Sequence, residues 1–99
     1  MISKSTIYRQ LKKVIDPELG INIVDLGLIY DVKIKGEDTN ITWTLTFPGC
    51  PLGFVIHKDI KEKVGKIKGI GKIDLEVTFD PPWDLSKVSM EAKKQLGIS

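Results

Sequence analysis

Phe47-Pro48-Gly49-Cys50-Pro51-Leu52 joins an alternating strand to an amphipathic helix and carries the only cysteine of the chain. Proline suits the first helical position, where a missing N–H is harmless, so Pro51 places Cys50 at the N-cap beside unpaired backbone N–H groups. The helix dipole favours an anion there, and a thiol so placed ionises more readily than a free one. Cys50 is therefore a candidate nucleophile or metal ligand. The plainer reading of a lone cysteine is a small buried hydrophobe.

Outward from this stretch the pattern is regular. Upstream, Ile41, Trp43, Leu45 and Phe47 alternate with Thr42, Thr44 and Thr46. Before them Tyr30, Val32 and Ile34 alternate with Asp31, Lys33 and Lys35, and Gly36-Glu37-Asp38-Thr39 supplies a turn, so the two runs form a β-hairpin with one apolar face. Downstream, Leu52, Ile56, Ile60, Val64 and Ile67 form a helical stripe blemished by Lys63, and Gly69-Ile70-Gly71 ends it. Ile73, Leu75, Val77 and Phe79 then alternate with acids and a threonine as a third strand. A strand, helix and strand in this order make a crossover with parallel strands.

The two ends complete the pattern. Ile7, Leu11, Val14 and Ile15 follow Ser3 at helical spacing and predict a helix over about 4–15, stopped by Asp16-Pro17. Asp16 to Gly27 reads as an ordered loop pinned by Ile21, Ile23, Val24 and Leu26, with acidic members Asp16, Glu18 and Asp25. After Asp80-Pro81-Pro82-Trp83, Val88, Ala92 and Leu96 mark a short last helix capped by Ser86 or Ser89. The expected fold is an α+β two-layer sandwich in the order αββαβα, a three-stranded mixed sheet with helices on one face. On the other face Thr42, Thr44, Thr46 and Thr78 meet strand charges, and the open edges are places where a partner can pair.

Ninety-nine residues, 41% hydrophobic and 28% charged, fit one domain spanning 1–99. A net charge of +2 argues neither for nucleic acid nor for an anionic membrane. The N-terminal residues lack an apolar core run, and a single cysteine forms no internal disulfide, so a cytoplasmic protein is expected. His57 lies about 10 Å along the helix from Cys50, far for a shared metal or a thiolate–imidazole pair, and reads as a partly exposed helix residue. Lys58, Lys61, Lys63, Lys66 and Lys68 read as a solvated face interrupted by Asp59 and Glu62, without the aromatic interleaving a single-strand binder needs. No phosphate-binding glycine motif is present.

Asp16-Pro17-Glu18, Ile23-Val24-Asp25-Leu26-Gly27-Leu28, Thr46-Phe47-Pro48-Gly49-Cys50-Pro51 and Asp80-Pro81-Pro82-Trp83, in this order and spacing, resemble the PaaD-like and SufT-like family of iron–sulfur cluster assembly proteins. Ser89-Met90-Glu91-Ala92 resembles the start of that family's closing helix. The resemblance implies a fold akin to the C-terminal domain of NifU-type scaffolds and a role in maturing iron–sulfur or related metalloproteins. It carries the family's cysteine onto Cys50 and its loop aspartate onto Asp25, with Thr46, Gly49, Pro51, Asp16, Glu18 and Trp83 as the supporting motif. Phe79 departs from the pattern, where tryptophan is expected. The nucleotide-binding domain fused to some relatives is absent from this sequence, so an ATP-driven step would belong to a partner.

Iron–sulfur clusters take four protein ligands, mostly soft thiolates, and one chain offers one. Cys50 with Asp25 reaches two and a homodimer four, so the expectation is transient holding of iron or a cluster, or docking of a carrier to its apoprotein. The expected partners are iron–sulfur assembly proteins, apoprotein clients and a second copy, with no nucleic acid and no membrane. The competing readings are a thiol enzyme, an interaction module in which Cys50 is inert, and a subunit supporting assembly of a multicomponent oxygenase. The absence of a catalytic triad or nucleotide signature favours an assembly or carrier factor over an enzyme.

Overall fold

A computed structural model describes residues 2–46 and 53–97. In chain order these form α1 (Lys4–Leu11), β1 (Ile29–Lys35), β2 (Asp38–Trp43), α2 (Gly53–Val64), β3 (Ile73–Val77), a 3-10 turn at Leu85–Lys87 and α3 (Met90–Leu96). The hairpin forms as its alternation requires: β1 and β2 pair antiparallel, with Val32 opposite Ile41 and Lys35 opposite Asp38 across a turn in which Gly36 adopts φ +64°. β3 then joins β2 in parallel, Ile41 beside Leu75 and Trp43 beside Val77, which leaves β2 central in a mixed sheet. The predicted order and mixed pairing are what the chain adopts.

One sheet face carries Val32, Ile41 and Trp43 into the core, where they meet Ile7 and Leu11 of α1 and Ile56, Ile60 and Val64 of α2. The Ser3 hydroxyl caps α1 by accepting from the Thr6 N–H at 3.2 Å. Lys63, at the edge of the α2 stripe, pairs with Asp59 one turn earlier at 2.9 Å, and this bond raises the lysine pKa. The charge thereby keeps a partner beside the core.

Several boundaries differ from the sequence expectation, each for a physical reason. α1 ends at Leu11 rather than near Ile15, because Val14 and Ile15 leave the helix to meet the following loop: Ile23 N–H donates to the Val14 carbonyl at 3.0 Å and Ile15 bridges to Asn22. β2 stops at Trp43, short of Phe47. The pairing shifts register between Ile29 and Asp31, and Thr44 N–H donates instead to the Leu28 carbonyl at 2.8 Å. Thr44 is consequently buried rather than displayed on the polar face. β3 ends at Val77, and Val77, on the apolar side of the strand's alternation, is 45% exposed because it ends an edge strand that α2 does not cover to its tip. Ser89 caps α3, whereas Ser86 lies in the 3-10 turn and is itself held by Asp84.

Candidate functional site at one end of the sheet

The antiparallel and parallel pairings bring the start of β1 and the ends of β2 and β3 to one edge of the layer, with Ile29, Trp43 and Val77 in a row across it. Two loops leave the sheet there. One, from Asp16 to Leu28, carries Asp25 and is tied to the residue that follows β2 by the Thr44 to Leu28 hydrogen bond. The second runs on from Thr46 to α2. In open sheets with parallel strands, ligands sit beyond the carboxyl ends of the strands, and this is that end for β2 and β3. Cys50, Gly49 and Pro51 lie outside the described residues; half-buried Thr46 is the last described residue before them.

Residues 22–27 make one helical turn, with Leu26 N–H donating to the Asn22 carbonyl at 3.1 Å. Asn22 opens it in the manner of a cap. Its Oδ1 accepts from the Asp25 N–H at 2.9 Å, and its Nδ2 donates to Asp25 Oδ2 at 2.7 Å. The carboxylate of Asp25 is thus half-buried and held through one oxygen. Asn22 is a site residue that sequence reasoning missed, and the signal was there: Asn-x-x-Asp ahead of an apolar pair is capping-box spacing.

The rest of the loop is fixed from beneath. Asp16 is buried, and its Oδ1 accepts from the N–H groups of Glu18 and Leu19 at 2.8 and 3.2 Å, while Gly20 N–H donates to its carbonyl at 2.8 Å. Its carboxylate is engaged in making a turn. Glu18 is exposed on that turn. The segment after β3 closes over the loop from the other side. Half-buried Trp83 donates from Nε1 to the Leu26 carbonyl at 2.6 Å, Ser89 N–H donates to the Asp25 carbonyl at 2.8 Å, and the Tyr30 hydroxyl donates to the Pro81 carbonyl at 2.7 Å. Lys87 lies over the Tyr30 ring, 5.3 Å from its centre. Gly27, at φ +77°, sits so close to Lys87 that a Cβ would strike the lysine carbonyl. The Asp-Pro-Pro-Trp motif thus anchors the aspartate loop.

Apolar side chains ring this end. Phe54 is 78% exposed and Val55 half exposed in the first turn of α2, and Phe79 stands exposed just past β3. Met90, also exposed, begins α3 next to the Ser89 to Asp25 bond. His57 is half-buried, its ring 6.2 Å from that of Trp43. Among the described residues no three or more His, Cys, Asp and Glu side chains come together as a metal site.

A small α+β domain with a hydrogen-bonded aspartate loop at one end of its mixed sheet, and a single cysteine in the sequence between β2 and α2, defines a class. Residues 4–77 match the iron–sulfur cluster assembly protein family, and the chain belongs to it. It is 41% identical to the Fe-S protein maturation auxiliary factor YitW of Bacillus subtilis, over 96% of this chain and 94% of that one. It is likewise 41% identical to the Fe-S protein maturation auxiliary factor SufT of Staphylococcus aureus, over 87% of this chain and 99% of the relative. The crystal structure of a domain of unknown function from Bacillus anthracis superposes with a TM-score of 0.92 at 39% identity, covering 97% of this chain and 92% of that one. The PaaD-like and SufT-like resemblance and the expected α+β fold with a three-stranded mixed sheet are both borne out.

Proposed function

We propose that this chain is an accessory factor in iron–sulfur protein maturation, which takes iron or a cluster as cargo on the Cys50 thiolate with Asp25 alongside and passes it to an apoprotein. The observation that carries this reading is the hydrogen-bonded pose of Asp25 at the sheet end from which the Cys50 loop departs. A carboxylate held near a thiolate is electrostatically unfavourable unless a cation or proton sits between them. Such a pair is suited to a metal that arrives and leaves. Two ligands leave the rest of the coordination to a donor, an acceptor or a second copy, which fits transit better than residence. The names of the relatives, maturation auxiliary factors, support the same reading. Exposed Phe54 and Val55 beside the connection give an apoprotein client an apolar surface to meet. Partners are then iron–sulfur assembly proteins and their clients, met in the cytoplasm; no helix of the described residues is long and apolar enough to cross a membrane.

The test is complementation. In cells lacking the natural protein, Cys50→Ser and Asp25→Asn are each expected to leave the melting temperature within a few degrees of wild type yet to impair a cluster-dependent enzyme. Normal client activity with both variants would overturn the joint site and leave an interaction module. Loss of fold in both would assign the two residues to stability instead.

A further inference from the structure

β3 is an edge strand, bonded to β2 on one side, and among the described residues nothing pairs with its other side. The Lys72 carbonyl accepts from Thr39 N–H and Thr78 N–H donates to the Trp43 carbonyl, each at 2.9 Å. Even-numbered residues therefore address β2, and the backbone N–H and C=O groups of Ile73, Leu75 and Val77 face outward. Edges of this kind are ordinarily blunted by charged side chains, lysine above all, by proline or by a bulge; β3 contains neither lysine nor proline, pairs with β2 in unbroken register, and has only acids, Asp74 and Glu76, as its charges. What it carries is a sorted surface. Asp74 and Glu76 stand exposed on the uncovered face, and on the opposite face the exposed side chains are Val77 and, just beyond the strand, Phe79.

We propose that the outer edge of β3 is a docking site for an extended segment of a partner protein, which adds as a fourth strand with lysine or arginine facing Asp74 and Glu76 and apolar residues over Val77 and Phe79. Main-chain bonding supplies the grip and the alternating side chains supply the choice of partner. The charges select the occupant. A second copy laid antiparallel about Leu75, β3 against β3, would set Asp74 opposite Glu76 of the other copy and Glu76 opposite its Asp74, and like charges across strands destabilise the pairing. A basic strand meets opposite charge at the same positions. Because β3 ends beside the aspartate loop, a segment running along it is led towards the site without making use of it, so this inference stands apart from the reading of Cys50.

The experiment uses the full chain and two labelled ten-residue peptides, one alternating lysine with valine and threonine, the other with glutamate in place of lysine. Binding is read by fluorescence anisotropy at low salt and located by amide chemical shifts. The lysine peptide is expected to bind at least tenfold more tightly than the glutamate peptide, with shifts confined to Lys72–Phe79 and new exchange protection at residues 73, 75 and 77. Asp74→Lys/Glu76→Lys, checked for native circular dichroism, should invert the preference. Val77→Pro, which keeps both acids and removes an outward N–H, should weaken the lysine peptide. Equal or absent binding of the two peptides, shifts centred on α2, a preference unmoved by the charge reversal, or a concentration-dependent β3 to β3 dimer would each overturn the proposal.

Discussion

Asn22 and Asp25 exchange two hydrogen bonds in opposite directions, and that reciprocity, more than any single contact, sets where the candidate carboxylate stands. The loop that contains them turns on Gly27, whose positive φ and missing Cβ let the Lys87 backbone close against it. Gly27→Ala is expected to cost on the order of 1–3 kcal/mol, from left-handed strain and from pushing residues 83–89 off the loop. Urea denaturation measures it, and a variant as stable as wild type would mean that this approach contributes nothing. At this scale the sequence was informative about which residues matter and poor on what they touch. Asp25, Asp16 and Trp83 were legible as a set. That Asp16 spends its carboxylate on a turn and Trp83 its N–H on Leu26 depends on contacts across 57 residues in the second case, which no local spacing encodes.

The elements followed from periodicity wherever burial is one-sided, and departed from it at their ends. Trp43 shows the first case. It is 1% exposed at the end of the central strand, and Trp43→Ala should cost about 3–5 kcal/mol, seen as a large fall in thermal stability. An unchanged melting temperature would remove it from the core. Thr44 shows the second. Alternation assigned it to solvent, but the register shift opposite sends its N–H to the Leu28 carbonyl and the residue is buried. The 3-10 turn after β3 offers a pH test. The Ser86 hydroxyl and then its backbone N–H bond the Asp84 carboxylate and hold its pKa below the usual value. A depressed carboxylate pKa stabilises the fold above the unfolded value of about 4 and loses that contribution as pH falls through the folded one. Wild type should therefore exceed Asp84→Ala in melting temperature at pH 7, and the gap should narrow steadily below about pH 4. A gap constant across that range would place the effect in packing instead.

Over the whole molecule, the chain sorts its features by end and by layer. α1, α2 and the core lie on one side of the sheet, the open face on the other, and the aspartate loop, the start of α2 and the end of β3 gather at a single rim. The order of elements was readable in advance because a hairpin followed by a crossover admits few arrangements. The exposure of Phe54 was not, since a helical stripe says which side chains go in and is silent about the apolar ones left outside. One arrangement at that rim has an optical consequence. The chain has two tryptophans: Trp43 in the core, and Trp83 with its indole N–H on the Leu26 carbonyl, one residue from the candidate aspartate. Trp43→Phe leaves Trp83 as the sole indole emitter, a native fluorophore wired to the loop. Its emission should shift to the red when Gly27→Ala loosens the loop, well below the urea concentration that unfolds the sheet. Loading with iron or a cluster, whose visible absorption accepts energy from excited indole, should dim it, and Cys50→Ser should abolish that dimming while leaving the unloaded spectrum unchanged.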